Sequence, residues 1–167
     1  LAINSVSMNR KGYTGNLHRI ADVPLSGTVN QRISSWLEAN GVSCAPMSGK
    51  TQKLFVVEPL TRNGRNLGFV GKIKQVNPAV VIDSVQSDQV PVISPISANE
   101  RDESFNVNAD SAASALAAAA GCTDLVFITD VPGVLVDDQT RASLRVKEAQ
   151  TLIADGIIKG GMVAKME

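Results

Sequence analysis

The stretch FNVNADSAASALAAAAG, residues 105 to 121, constrains the fold more than any other part of the chain. It reads as a helix running to Ala120, with Gly121 in the position just past the helix end where a left-handed residue is favoured. Alanine is the best intrinsic helix former, and its short side chain lets a helix lie close on a neighbouring surface. The front of the segment is different: Asn106, Asn108 and Asp110 crowd its first turn. A solvent loop joined to an ordinary surface helix requires neither the polar cluster nor so much alanine.

The surrounding pattern alternates helix and strand. Val29, Ile33, Trp36 and Leu37 fall at i, i+4, i+7 and i+8, one face of a helix that Asn40 and Gly41 terminate. LFVVEPL (54 to 60) reads as a strand, and LGFVGKIKQVNP (67 to 78) as a β-ribbon outside the core sheet. PAVVIDSV (78 to 85) reads as a short helix with Asn77 as cap and Pro78 at the first position. VPVISPI (90 to 96) reads as a short strand whose prolines point to an edge or an end. NERDES (99 to 104) is a charged turn, and LVFI (125 to 128) a buried parallel-type strand followed by a turn in TDVPGVL. VKEAQTLIADG (146 to 156) reads as an amphipathic helix closed by Gly156, and KGGMVAKME (159 to 167) as a Gly-Gly turn entering a last helix. Residues 1 to 24 are weakly patterned, with turn formers at Gly12, Gly15 and Asn16. Together these elements imply one α/β domain with a largely parallel sheet.

Composition narrows the function. Sixteen basic and sixteen acidic side chains cancel among the 167 residues, which leaves no electrostatic footprint for nucleic acid or an anionic membrane. One Trp and one Tyr are too few for base-stacking platforms. Cys44 and Cys122 are far apart with no C-x-x-C spacing, so the expectation is a reducing, cytoplasmic setting without a disulfide framework. The lone His18 removes most metal and triad chemistries, and it reads as a surface residue. No apolar run approaches the roughly 20 residues of a membrane span, and LAINSVSMNRKG lacks the basic leader and apolar stretch of a cleavable signal.

Open α/β sheets bind ligands outside the carboxyl ends of their strands. Three polar features fall at such places: Asn106, Asn108 and Asp110; Thr129 and Asp130; and Gly160, Gly161 and Lys165. Glycines ahead of a helix let backbone N–H groups converge on an anion, and a lysine one turn on adds an ammonium to the same oxygens. Phosphoryl transfer asks for such a site, since it consists mostly of positioning and charge neutralisation. Each feature also has a plain structural reading. Asn108 and Asp110 serve equally as helix caps, Gly160 and Gly161 as a turn, Asp130 as a turn acid, and Lys165 as a solvated lysine. SGKT (48 to 51) ends like a phosphate-binding P-loop, but that pattern requires glycine where the chain has Cys44, so it reads as a turn after a strand.

In order and spacing, FNVNADSAASALAAAAG, VFITDVPGVL and IADGIIKGGMVAKME resemble the acetylglutamate kinases, a branch of the amino-acid kinase family. LSGTVNQ (25 to 31), SGK (48 to 50), LGFVGKIKQVNP and VPVISPIS (90 to 97) resemble the middle section of the same family, so the likeness spans about residues 21 to 167. The resemblance implies a three-layer αβα sandwich with a largely parallel central sheet and a small β-ribbon. It places an amino-acid-binding part at about 1–104 and the start of a nucleotide-binding part at about 105–167.

The implied reaction passes the γ-phosphoryl of ATP, with Mg2+ accompanying it, to the side-chain carboxylate of N-acetyl-L-glutamate in arginine biosynthesis. Lys165 matches the lysine that stabilises the transferring phosphoryl group, Asp110 the acid that organises the catalytic lysines, and Asn106 the asparagine that holds the acetylglutamate. Asp130, Val131, Pro132, Gly133, Val134 and Leu135, with Ile157, Ile158 and Lys159, match nucleotide-binding segments. Lys11, beside Arg10, falls at the place of the substrate-binding arginine. The attacking carboxylate is already ionised at neutral pH, so no general base is needed. The family opens with a strand bearing a lysine and a Gly-Gly pair, then a His-Gly-Gly-Gly loop; the resemblance places these ahead of LAIN and further nucleotide-domain sequence after Glu167. It also implies a homodimer or larger assembly. Two other readings remain: a kinase for a related amino acid such as acetylaminoadipate, and a non-catalytic ligand-binding or regulatory homologue.

Overall fold

In the computed structural model the elements of the first half appear in the order β1 (Ala2–Ile3), a π-helical turn (Val23–Val29), α1 (Asn30–Ala39), β2 (Cys44–Ser48), a 3-10 turn (Thr51–Lys53), β3 (Phe55–Arg62), β4 (Arg65–Val76), α2 (Ala79–Gln86), β5 (Val90–Ser94), β6 (Ile96–Ala98), β7 (Ser104–Asn106) and α3 (Ala109–Ala119). The second half contributes β8 (Leu135–Val136), β9 (Gln139–Thr140), α4 (Val146–Ala154) and α5 (Gly161–Met166). The structure describes residues 2–3, 23–62, 64–136 and 139–166, in two units that divide between Thr123 and Asp124.

The first unit is a mixed α/β body. Its parallel sheet has the order β1-β5-β2, with Cys44 to Ser48 in register with Val90 to Ser94. The strand expected at an edge or an end is therefore the middle one. Pro91 is tolerated because it sits one residue inside the strand, and Pro95 stops the strand and turns the chain into β6. Long-range apolar contacts join Met47 of β2, Phe55 and Val57 of β3, Val80 and Val81 of α2, Ile93 of β5, Phe105 of β7, and Ala112 and Leu116 of α3 in one core. The alanines of α3 act as expected: Ala109, Ala112, Ala113, Leu116 and Ala117 form its buried stripe.

The ribbon expected at 67–78 is half of the β3–β4 antiparallel hairpin, which lies outside the parallel sheet. It goes further than a ribbon. β6 and β7 pair with each other and with β3 and β4, closing a four-stranded barrel in the order β3-β4-β7-β6. Gly71 lies at a close approach in that closure, where a Cβ would stand 3.0 Å from Phe105 Cβ and 3.1 Å from Val57 Cβ.

In α1 the buried residues are not those of its apolar face. Asn30 and Ser34 are its buried residues, while Trp36 is 66 % exposed. The hydrogen bonds explain the inversion: Asn30 Nδ2 donates to the Val92 carbonyl at 2.8 Å and the Met47 carbonyl at 3.2 Å, so an amide lies over β2 and β5. A satisfied polar group can be buried where an apolar-periodicity argument expects a hydrophobe. α2 starts at Ala79, with Pro78 as its cap residue, and Asn77 Oδ1 accepts from Ala79 N at 3.4 Å.

The second unit is built around Val134, Val136 and Ile158, with Leu152, Ile153, Met162 and Val163 packed against them. LVFI is not a buried strand here: Leu125 to Ile128 have no regular structure, and Val126 and Ile128 are 81 % and 96 % exposed. A buried parallel strand needs a ladder neighbour, and among the described residues none pairs with this run. α4 ends as expected. Gly156 (φ +70°) donates to Ile153 O, and Ile157 N donates to Leu152 O, the two bonds of a Schellman close. Among the described residues, no helix is long and apolar enough to cross a membrane.

Candidate functional site

The polar head at 106–110 occupies a strand-to-helix corner of the first unit. The residues expected to open the helix instead form β7, and the helix starts at Ala109. Asn106 is half-buried in β7, between Ile96 of β6 and Val70 of β4. Val107 is buried and its N–H donates to Pro95 O at 3.3 Å, which ties the corner to the carboxyl end of β5. Asn108 is the helix cap: its Oδ1 accepts from Ser111 N at 3.0 Å and from Ser111 Oγ at 3.3 Å. Asp110 follows in the first turn, half-buried, and its backbone carbonyl accepts from Ser114 Oγ. Acidic groups are favoured there by the helix dipole. At the far end, Gly121 (φ +68°) and Cys122 donate to Ala118 O and Ala117 O, completing a second Schellman close.

The carboxyl ends of β2 and β5 carry residues that the sequence reading did not single out as a site. Ser26 Oγ and Ser94 Oγ lie 2.6 Å apart, and Gly49 N donates to Ser94 O at 3.0 Å. Asn30 Oδ1 is buried and has no hydrogen-bond partner among the described residues, although its amide nitrogen bridges the two strands. A recoverable signal existed in the spacing of Ser26, Asn30 and Ser34: polar groups at i, i+4 and i+8 of a helical segment. SGKT is the turn after β2 that the sequence implies, and Lys50 Nζ donates to Ser104 Oγ at 3.1 Å.

In the second unit, Asp130, Val131, Pro132, Leu135, Ile157 and Lys159 are exposed, while Gly133 is half-buried. Val134 and Ile158 are core residues, at 9 % and 4 % exposure, so their side chains are not open to a ligand. Thr129 Oγ1 donates to Asp130 Oδ1 at 3.4 Å. Gly160 has φ +61°, and a Cβ at Gly160 or Gly161 would meet nothing within 4 Å, so the turn into α5 is open. The half-buried Lys165 ammonium stands 5.3 Å from the centre of the Phe127 ring. Lys11, Arg10 and His18 lie outside the described residues.

Other chemistry finds little support. Cys44 and Cys122 are free, and burial, then the Glu38 charge, pushes the Cys44 thiol up, away from the reactive thiolate. Among the described residues no group of three His, Cys, Asp or Glu could hold a metal ion. A concavity of about 370 Å³ lined by Gln52, Lys53, Gln75, Asn77 and Glu100 shares no residue with the polar corner or the Gly-Gly turn. Its walls hold no nucleophile or anion cradle, so the strand-end residues remain the candidate.

The family model described as "Amino acid kinase family" matches residues 6–167. A protein named acetylglutamate kinase from Geobacillus kaustophilus is 35% identical over 168 residues, covering 100% of this chain and 64% of its own length. One of the same name from Campylobacter hominis is 40% identical over 149 residues, covering 89% of this chain and 52% of its own. The chain thus spans between about half and two thirds of the length of these relatives. Among solved structures, a Streptococcus mutans protein superposes with a TM-score of 0.82 at 22% identity, over 98% of this chain and 66% of its own. An N-acetylglutamate synthase from Neisseria gonorrhoeae gives 0.69 at 21% identity, over 86% and 32%.

Proposed function

The chain belongs to the amino acid kinase family, and from that premise we propose that the protein it represents is an ATP-dependent acetylglutamate kinase of arginine biosynthesis. The reaction moves the γ-phosphoryl of ATP onto the side-chain carboxylate of N-acetyl-L-glutamate, forming an acyl phosphate and ADP. One observation carries the reading: relatives bearing that name match at 35% to 40% identity across 89% to 100% of this chain. The Geobacillus kaustophilus match spans the whole chain, the polar corner and the open glycine turn included.

The proposed roles are chemically distinct. In the first unit, Asn106 offers an amide for the acetylglutamate, and Asp110 a carboxylate that organises ammonium groups. In the second unit, Lys165 neutralises the phosphoryl oxygens, a contact that strengthens as charge develops in transfer. The main chain of Asp130–Leu135 and of Ile157, Ile158 and Lys159 lines the nucleotide. Mg2+ would arrive on the ATP phosphates, in keeping with its preference for few protein carboxylates. Lys11 is the proposed basic contact to the substrate carboxylate. We place the amino-acid part at about 1–104 and the nucleotide part from about 105 onward, within a three-layer αβα sandwich that the parallel β1-β5-β2 sheet supports. A homodimer or larger assembly in the cytoplasm completes the proposal.

The test is a coupled assay on the full polypeptide, trapping the acyl phosphate with hydroxylamine. Turnover with N-acetyl-L-glutamate well above that with acetylaminoadipate is the expected outcome. Faster turnover with acetylaminoadipate would reassign the substrate, and ATP binding without transfer to either would make the protein a regulatory homologue.

A further inference from the structure

We propose that Phe69 is a positioning residue for Asn106, its ring bracing the strand seam on which Asn106 sits. The inference rests on the role proposed above for Asn106 and adds a residue to it. The barrel consists of two hairpins, each paired along its length. β3 and β4 pair from Phe55 with Val76 out to Arg62 with Arg65, while Ile96, Ser97 and Ala98 of β6 pair with Asn106, Phe105 and Ser104 of β7. The seams that join the hairpins are thin. Among the described residues, β3 is in register with β6 at Val56 and Ala98 alone, and β4 with β7 at Val70 and Asn106 alone. The candidate substrate amide therefore stands on one of the two seams where the hairpins can part.

One residue before that pair on each strand, Phe69 and Phe105 meet across the same seam, with ring centres 6.1 Å apart and planes tilted by 48°. That separation lies within the range of attractive aromatic pairs. Side chains alternate along a strand, so Phe69 shares a face of β4 with Gly71, and Phe105 and Asn106 point to opposite faces of β7. A Cβ at Gly71 would stand 3.0 Å from Phe105 Cβ, so Phe105 lies against that same face of β4. Phe105 is buried in the core, and Phe69 is half-buried. The rings thus hold the seam from the core side, opposite the face that carries the Asn106 amide. A parallel ladder of one pair contributes little by itself, and cross-strand side-chain pairs are what stabilise adjoining strands. Without the Phe69 ring, β4 is free to shift on β7 and to move the Asn106 backbone with it. An amide that holds acetylglutamate alike before and during transfer acts on substrate binding, so the effect falls there rather than on the chemical step.

The test uses the full polypeptide with Phe69→Leu, Phe69→Tyr and Asn106→Ala, and the Leu and Ala changes combined. Phe69→Leu is expected to raise KM for acetylglutamate about 3- to 10-fold, with kcat and KM for ATP nearly unchanged. Phe69→Tyr, which keeps the ring, restores most of the affinity. In the Asn106→Ala background Phe69→Leu has no further effect on KM. Phe69→Ile, a better strand former, carries the same expectation and covers a failure of the leucine variant to fold. A second readout needs no turnover. In protein carrying ¹⁵N-labelled asparagine, the Asn106 side-chain signal, identified by its loss in Asn106→Ala, should move in Phe69→Leu and stay near its wild-type position in Phe69→Tyr. An unmoved signal, equal KM changes in the Leu and Tyr variants, or a further KM rise in the Asn106→Ala background would overturn the inference. If Asn106→Ala leaves KM unchanged while the Asn106 signal moves in Phe69→Leu, the bracing stands and the role assigned to Asn106 fails instead, so the two ideas break separately.

Discussion

A methyl group added at Gly49 would stand 2.7 Å from Phe55 Cδ2 and 2.9 Å from the Ile96 carbonyl oxygen, whereas one added at Gly161 would meet no atom within 4 Å. Both glycines precede a lysine in a turn that resembles a phosphate cradle, SGK in the first unit and GGMVAK in the second. Packing alone accounts for the first. Gly49 is where the end of β2 crosses the start of β6, its N–H donates to Ser94 O, and its carbonyl accepts from Phe55 N at 2.8 Å. Lys50 beside it is engaged with Ser104. Neither packing nor a left-handed backbone explains Gly161. An open glycine ahead of a lysine leaves backbone N–H groups accessible, and that favours the second turn as the phosphoryl site.

The widest separation between the two turns should appear in rate. Lys165→Ala is expected to lower kcat about 100- to 1000-fold, the scale of losing one preorganised transition-state contact, with little change in melting temperature. Lys50→Ala should leave kcat within a few-fold of wild type. Equal losses from both lysines would erase the contrast. Stability should show the reverse order. Gly49→Ala forces a Cβ against backbone and ring atoms and is expected to cost about 3 kcal/mol or more, the upper end of overpacking effects. Gly161→Ala is expected to cost nothing, since alanine favours a helical turn by about 0.5–1 kcal/mol over glycine, while kcat falls because its methyl crowds the anion path. Urea unfolding of the two variants side by side measures this, and a destabilised Gly161→Ala would return that glycine to a packing role.

A smaller effect separates cap from ligand at the polar corner. Asn108 is exposed with its Oδ1 on Ser111 N, so Asn108→Ala should cost about 1 kcal/mol. Asn108→Ser should recover most of that, because serine also caps. Asn106 is half-buried in a strand and has no capping duty, so Asn106→Ala should act on the KM for acetylglutamate. If Asn108→Ser keeps stability but raises KM as Asn106→Ala does, then Asn108 also touches substrate.

How far the fold could be read ahead of the structure depended on whether the deciding interaction was local. The ends of α3 and α4 were legible because Gly121 and Gly156 act within one turn of their own helices. The order β1-β5-β2 was not, since VPVISPI carries the same prolines at an edge or in the middle. Nor could the barrel be seen, because β6 and β7 are three-residue strands whose pairing with β3 and β4 is distant in the chain. The buried face of α1 was not legible, for a chemical reason. Asn30 is stabilised by two distant carbonyls, which no apolar period reveals. For LVFI, four apolar residues imply a buried strand only when a partner strand is present. Asn106, Asp110 and Lys165 stood out by type and spacing, while the Phe127 ring beside Lys165 did not, because a phenylalanine in an apolar run has no distinguishing mark until its contacts are seen.

Charge on the open surface gives the smallest contrast. Lys74 Nζ and Glu100 Oε1 lie 2.9 Å apart with side chains 56 % and 72 % exposed, linking β4 to the turn between β6 and β7. The hydrogen bond to Lys74, then its charge, lowers the Glu100 pKa, and the reciprocal hydrogen bond and charge raise that of Lys74. Because the folded carboxyl titrates below the unfolded one, its contribution is complete above the ordinary glutamate range and is lost as pH falls through the folded value. The lysine contribution is complete below the ordinary lysine range and is lost as pH rises through its own. Glu100→Gln should therefore lower stability slightly at neutral pH and by nothing in acid, and the neutral-pH difference should shrink in high salt, where exposed pairs are screened. Urea titrations across pH at low and high salt would show it. A difference that persisted in acid would mean that Glu100 holds the turn through its shape rather than its charge, as Gly49 holds the neighbouring one.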